Sequence, residues 1–106
     1  CYCCGHAGMA HTFLGLYCID GSPRWREFAT RCGDILLGSM KTHADGSVSW
    51  PFAWERVHPE ELSQRIGFYD GAAGIASTLL ELFMLERDDY HWPRMIDDPF
   101  PEDPRR

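Results

Sequence analysis

The sequence lacks a long apolar run and is short of basic residues, and each shortage argues against a class of protein. No stretch approaches the roughly 20 apolar residues that a membrane-spanning helix requires, so we expect no membrane partner. Ten Lys and Arg side chains stand against 16 Asp and Glu, which gives a net charge of −6. This argues against a nucleic-acid partner, because phosphate contacts need clustered Lys and Arg.

The apolar content, by contrast, is high enough for a packed core, since 44% of the residues are hydrophobic and 13% are aromatic. The chain begins at Cys1, inside a motif and without an initiator Met. We therefore expect a truncated N-terminus. Residues 87–106 contain four prolines among many charges, which rules out a continuous helix and predicts a Pro-rich acidic tail.

Five cysteines are present, an odd number. Cys18 and Cys32 lie within apolar helical patterns, where a thiol behaves as a small hydrophobe. The adjacent residues Cys3 and Cys4 are poorly placed to bridge each other, because a disulfide requires Cα atoms roughly 5.5 Å apart. This usage predicts reduced or metal-bound thiols and a cytoplasmic location.

Hydrophobic periodicity predicts three helices, over residues 7–19, 23–39 and 72–86. Gly21 suits the left-handed C-terminal cap of the first helix, and Ser22 and Pro23 suit the start of the second. The short loop between them predicts an antiparallel helix pair. Residues 42–67 lose the helical period, and a turn at Asp45–Gly46 followed by alternation at 48–50 predicts a short strand in an extended crossover.

The segment 3–8 recurs at 69–74, an offset of 66 residues, and the match continues into the following helix. The identical pairs are Gly5/Gly71, Ala7/Ala73, Gly8/Gly74, Ala10/Ala76, Thr12/Thr78, Leu14/Leu80 and Leu16/Leu82. Two copies of a turn-plus-helix unit indicate a repeat architecture. Because the glycines recur at a fixed offset, we interpret them as positions of close backbone approach rather than as parts of an anion-binding site. In addition, neither copy completes a phosphate-binding loop.

Only the first copy carries adjacent thiols, so Cys3 and Cys4 are candidates for chemistry added to the shared scaffold. Thiolates are strong zinc ligands, and both residues precede a helix N-terminus, where the helix dipole favours negative charge. Two small buried residues explain the pair equally well. His6 lies in the same turn and is a further candidate, whereas His11 suits a surface or hydrogen-bonded role. Asp70, opposite Cys4 in the second copy, is best explained as a helix cap.

The two motifs together resemble those of the lanthionine synthetase C-like protein family. Residues 3–8 (Cys-Cys-Gly-His-Ala-Gly) are similar to the Cys-His-Gly-x-Ala-Gly turn of that family. Residues 67–75 are similar to its final Gly-x-x-x-Gly-x-Ala-Gly-Ile turn. The resemblance implies an all-α fold, an α/α toroid, with residues 1–86 as its C-terminal segment. A short extended crossover is included in that expectation.

The same resemblance implies a zinc-dependent function in peptide modification. A cysteine thiol, or glutathione, adds to a dehydroamino acid of a dehydrated peptide and forms a thioether. Cys3 and Cys4 fall on the zinc-binding Cys-His pair, with Cys4 in place of the His. The site-lining candidates are His6, Tyr69 and Asp70. The acid–base His and the first zinc Cys of the family lie upstream of this chain, so we expect the chain alone to be inactive.

Two other functions remain open at this point. One is a carbohydrate-active α/α toroid enzyme, in which acidic residues would act and the two thiols would be incidental. The other is a non-catalytic toroid that binds a peptide. Zinc binding that depends on Cys3 and Cys4 would distinguish the thioether-forming function from both alternatives.

Overall fold

The computed structural model describes residues 1–3, 5–53, 55 and 57–90. Within these ranges the chain forms three helices and four two-residue strands. In chain order the elements are α1 (His6–Asp20), α2 (Pro23–Gly38), β1 (Lys41–Thr42), β2 (Val48–Ser49), β3 (Phe52–Ala53), β4 (Leu62–Ser63) and α3 (Ala72–Glu86). Each helix begins and ends within one residue of its predicted bounds. Most of the predicted tail, residues 91–106, lies outside the described residues.

The expected fold class is wrong. The described residues form a small mixed α/β arrangement with two antiparallel two-stranded sheets, β1–β2 and β3–β4, and not part of an all-α toroid. The crossover supplies both sheets. Its first half folds as a hairpin with Lys41 opposite Ser49 and Thr42 opposite Val48. In its second half Phe52 lies opposite Ser63 and Ala53 opposite Leu62.

The hairpin forms for local reasons. Gly46 adopts φ 83°, a left-handed conformation that glycine tolerates without cost. The Asp45 carboxylate accepts hydrogen bonds from the Ser47 amide at 2.9 Å and from the Ser47 hydroxyl at 2.7 Å. The turn predicted at Asp45–Gly46 and the strand over residues 48 and 49 are confirmed.

The link between α1 and α2 also follows its sequence, with one difference. Gly21 has φ 68° and its amide donates to the Tyr17 carbonyl, as a left-handed cap requires. Ser22 is the N-cap residue of α2, yet its side chain makes no capping hydrogen bond. Instead the Asp20 carboxylate accepts from the Ser22 amide and from the Trp25 indole, each at 2.8 Å. These two bonds lower the pKa of Asp20.

The sequence repeat corresponds to a repeated turn. A Cβ atom on Gly8 would collide with the Tyr2 carbonyl oxygen, and one on Gly74 would collide with the Phe68 carbonyl oxygen. The two colliding residues, Tyr2 and Phe68, are themselves 66 positions apart, and their rings pack at 4.8 Å between centroids. Gly8 and Gly74 are therefore steric requirements of the scaffold, in agreement with the sequence interpretation.

Among the residues that the structure describes, two core clusters join the three helices. Leu14, Ala29, Leu82 and Leu85 form one, and Ala7, Leu36 and Ile75 form the other. Several large apolar side chains elsewhere are exposed, among them Ile19 at 82% and Ile66 at 86%. Among the described residues, no helix has the length and apolar content needed to span a membrane.

Candidate functional site

A surface pocket lies where α1 begins. Its volume is ≈ 640 Å³, and its lining residues are Tyr2, Cys3, Gly5, Gly8, Met9, His11, Thr12 and Tyr69. The turn before α1, the first two turns of α1 and the turn before α3 contribute its walls. The Cys3 amide donates to the Tyr69 carbonyl at 2.9 Å and so ties the two repeated turns together. We call this the thiol pocket.

Two thiols meet beside it. The Cys1 and Cys3 sulfur atoms are 4.0 Å apart. Two thiolates bound to one tetrahedral zinc ion at Zn–S distances of about 2.3 Å would lie about 3.8 Å apart. The observed separation is therefore compatible with shared coordination. Cys4, the second metal ligand predicted from the sequence, lies outside the described residues.

The helix direction adds to this arrangement. Gly5 is the N-cap of α1, so both thiols precede the positive end of the helix dipole. Cys3 is exposed and Cys1 is half-buried. Cys1 is not among the metal ligands that the sequence predicted. In the structure the turn brings their sulfur atoms together.

The other predicted site residues are divided between two surfaces. Tyr69 lines the thiol pocket, half exposed, with its ring edge-on to the Tyr2 ring at 6.1 Å. His6 and Asp70 line a second pocket, with Cys1, on the side facing the crossover. Asp70 is not the α3 cap that the sequence predicted. The N-cap is Gly71, and Asp70 instead pairs with Arg65 at 2.9 Å.

Sequence reasoning missed the partner of His11, a residue that lines the thiol pocket. His11 Nδ1 lies 3.0 Å from Glu81 Oε2, and Glu81 is only 8% exposed. The signal was available, because Glu81 occupies the buried stripe of α3 between Thr78 and Leu82. A carboxylate in an apolar helical stripe is informative when it has a partner, since isolated buried charge is strongly unfavourable.

Comparisons with protein-family models, with curated proteins and with solved structures find no match.

A separate group of possible metal donors lies on the crossover. His58, Glu60 and Glu61 bring one ligand atom each within 4.8 Å of one another, and all three residues are exposed. It is the sole three-donor group among the described residues, and exposed acidic groups of this kind are common without a metal. Cys1 and Cys3 supply two donors, and the described residues add no third donor atom within 4.8 Å of both.

Proposed function

We propose that the thiol pocket is a zinc–thiolate site serving peptide modification, in which a thiol adds to a dehydroamino acid to form a thioether. The function is the one implied by the resemblance of residues 3–8 and 67–75 to lanthionine synthetase C-like proteins. The observation that carries the proposal is the 4.0 Å separation of the Cys1 and Cys3 sulfur atoms.

The donor chemistry fits zinc. Cys1 and Cys3 would hold the ion, and Cys4, the next residue in the chain, is the natural third thiolate. Catalytic zinc sites use three protein ligands and keep one position open. When bound, zinc lowers the pKa of a thiol at the open position and keeps it as a thiolate.

Two further features of the pocket support the proposal. The hydrogen bond between the Cys3 amide and the Tyr69 carbonyl fixes the turn that presents the thiols. The Tyr2 and Tyr69 rings form an aromatic wall beside Cys3. Such a wall suits an extended peptide segment, because aromatic surface offers large contact area at low conformational cost.

The test measures zinc content and thioether formation together. Full-length protein is purified without chelators, its zinc is quantified by mass spectrometry, and it is mixed with a thiol and a dehydroalanine peptide. We expect about one zinc per chain and adduct formation above the uncatalysed rate. Cys3→Ala should lose most of the zinc and the rate enhancement.

The matched control is Cys32→Ala, which removes a thiol buried on α2. Cys32 does not line the thiol pocket, so this variant should keep both zinc and activity. Wild-type protein without zinc, or unchanged zinc in Cys3→Ala, contradicts the proposed site. Zinc without adduct formation contradicts the proposed reaction alone.

A further inference from the structure

The two thiols beside the thiol pocket are close enough to react with each other as well as to share a metal ion. Cys1 and Cys3 are both reduced, and their sulfur atoms are 4.0 Å apart. A disulfide requires sulfur atoms about 2.0 Å apart, so each sulfur would move by about 1 Å. Rotation of the two side chains about their Cα–Cβ bonds can supply a movement of that size.

The turn before α1 holds the backbone of both residues in place. The Cys3 amide donates to the Tyr69 carbonyl at 2.9 Å. Cys1 folds back over Gly5, where an added Cβ would lie 2.6 Å from the Cys1 nitrogen and 2.8 Å from its carbonyl oxygen. Because consecutive Cα atoms are about 3.8 Å apart, residues two apart in such a bend fall within the roughly 4.4–6.8 Å that disulfides span. The scaffold therefore permits a bridge without being rebuilt.

An oxidant in solution can reach this pair of thiols. Cys3 is exposed and lines a pocket of ≈ 640 Å³, and Cys1 is half-buried beside it. Cysteines that sense oxidants are accessible to solvent and lie next to a second thiol, which reacts with the first oxidation product. Cys3 has the required exposure, and Cys1 is the second thiol.

We propose that Cys1 and Cys3 are a redox pair whose disulfide switches the thiol pocket off. The disulfide needs only the two thiols and hydrogen peroxide as the oxidant, whereas its effect on activity rests on the proposed function. The Cys3 sulfur attacks the O–O bond of the peroxide, becomes a sulfenic acid and releases one water. The Cys1 sulfur then forms the S–S bond and displaces the sulfenic oxygen, which leaves as a second water. Two thiols are oxidised and one peroxide is reduced.

The bridge would remove two of the three ligands proposed for zinc. A thiolate is the species that binds the metal, and both sulfur atoms are covalently paired in a disulfide. Catalytic zinc sites use three protein ligands, whereas Cys4 would remain as the single thiolate of the proposed set. Oxidation is therefore expected to release the ion.

The bridge is also expected to be readily reversible. It would close a small ring between residues two positions apart, on an exposed turn. Strained or exposed disulfides are the ones that thiols reduce most easily. The proposed reaction itself consumes a thiol, so the conditions that supply its co-substrate would also restore Cys1 and Cys3 to the reduced state.

The first test measures the bridge without zinc or activity. Full-length protein stripped of zinc is treated with hydrogen peroxide and mapped by mass spectrometry without reduction. We expect the segment that carries residues 1–4 to lose two hydrogen atoms and to regain them with dithiothreitol. Cys4→Ser should still form the bridge, and Cys1→Ser should not.

The matched control is Cys18→Ser, near the other end of α1. Burial of the thiol, followed by the charge of Glu81, raises the pKa of Cys18. Because the thiolate is the reactive form, Cys18 should react slowly with peroxide. Its replacement should leave the bridge as in wild type.

The second test follows zinc. Zinc-loaded wild type is treated with hydrogen peroxide, and a coloured chelator reports the ion released. We expect the bound zinc to be lost in step with bridge formation and to be recovered after reduction and addition of zinc.

The outcomes separate this inference from the proposed function. The absence of a bridge in wild type, or an unchanged bridge in Cys1→Ser, overturns the inference and leaves the proposed function intact. A complete bridge with zinc retained overturns the switch alone. A wild type that never binds zinc overturns the proposed function and the switch together, even where the bridge forms.

Discussion

Replacing Gly74 with Ala is expected to cost about 3 kcal/mol of folding free energy, at the upper end of the usual range for overpacking. The added Cβ would collide with the Phe68 carbonyl oxygen, a backbone atom that cannot rotate away, and would lie 3.0 Å from the Tyr2 Cβ. Relief would require moving the backbone of the turn that precedes α3, because Phe68 and Gly74 belong to the same turn. Urea denaturation followed by circular dichroism measures the loss.

The control for this prediction is Gly38→Ala at the last residue of α2. A Cβ at Gly38 would meet no atom within 4 Å, and Ala is a better helix former than Gly by about 1 kcal/mol. This variant should be as stable as wild type or slightly more stable. Equal destabilisation by both substitutions would contradict the steric explanation.

Replacing Leu14 with Ala is expected to cost about 2–5 kcal/mol. Leu14 is fully buried in the cluster that joins α1 to α2 and α3. Shortening it leaves a cavity that the rigid helices can fill only partly. Because small domains are stable by about 5–15 kcal/mol, the midpoint of urea unfolding should fall markedly.

Leu80, the residue 66 positions after Leu14 in the repeat, provides a matched control. It is 58% exposed, so Leu80→Ala should have much the smaller effect. Similar losses for the two variants would show that the core is not where the structure places it.

The helices were predictable from the sequence because their signals are local. Gly21, Pro23 and the apolar spacing in residues 7–19 and 23–39 determine where α1 and α2 begin and end. The repeated turns were predictable for a related reason. The close backbone approach at Gly8 and at Gly74 requires glycine in both turns. The two turns therefore share a glycine pattern that can be recognised in the sequence.

The fold class was not predictable in the same way. The β3–β4 pair joins Phe52 and Ala53 to Leu62 and Ser63 across an eight-residue connection. Two-residue strands are too short for an alternating pattern to be recognised. The family resemblance also directed the interpretation towards helices, and the crossover was treated as a connection rather than as the source of two sheets.

The site was partly predictable. The sequence identified Cys3 and Tyr69, which the structure places in one pocket, but it also grouped them with His6 and Asp70, which line another. The pairing of His11 with Glu81 requires α1 and α3 to be packed together before it can be recognised. A histidine alone in sequence gives no such information, whereas the carboxylate within a buried stripe does.

The most direct test of the account is X-ray absorption spectroscopy at the zinc edge of the purified full-length protein. Coordination by Cys1, Cys3 and Cys4 predicts a shell dominated by sulfur at about 2.3 Å, with sulfur content reduced in a Cys3→Ala sample. A shell of nitrogen and oxygen alone at about 2.0–2.2 Å would contradict the thiolate site and with it the proposed function.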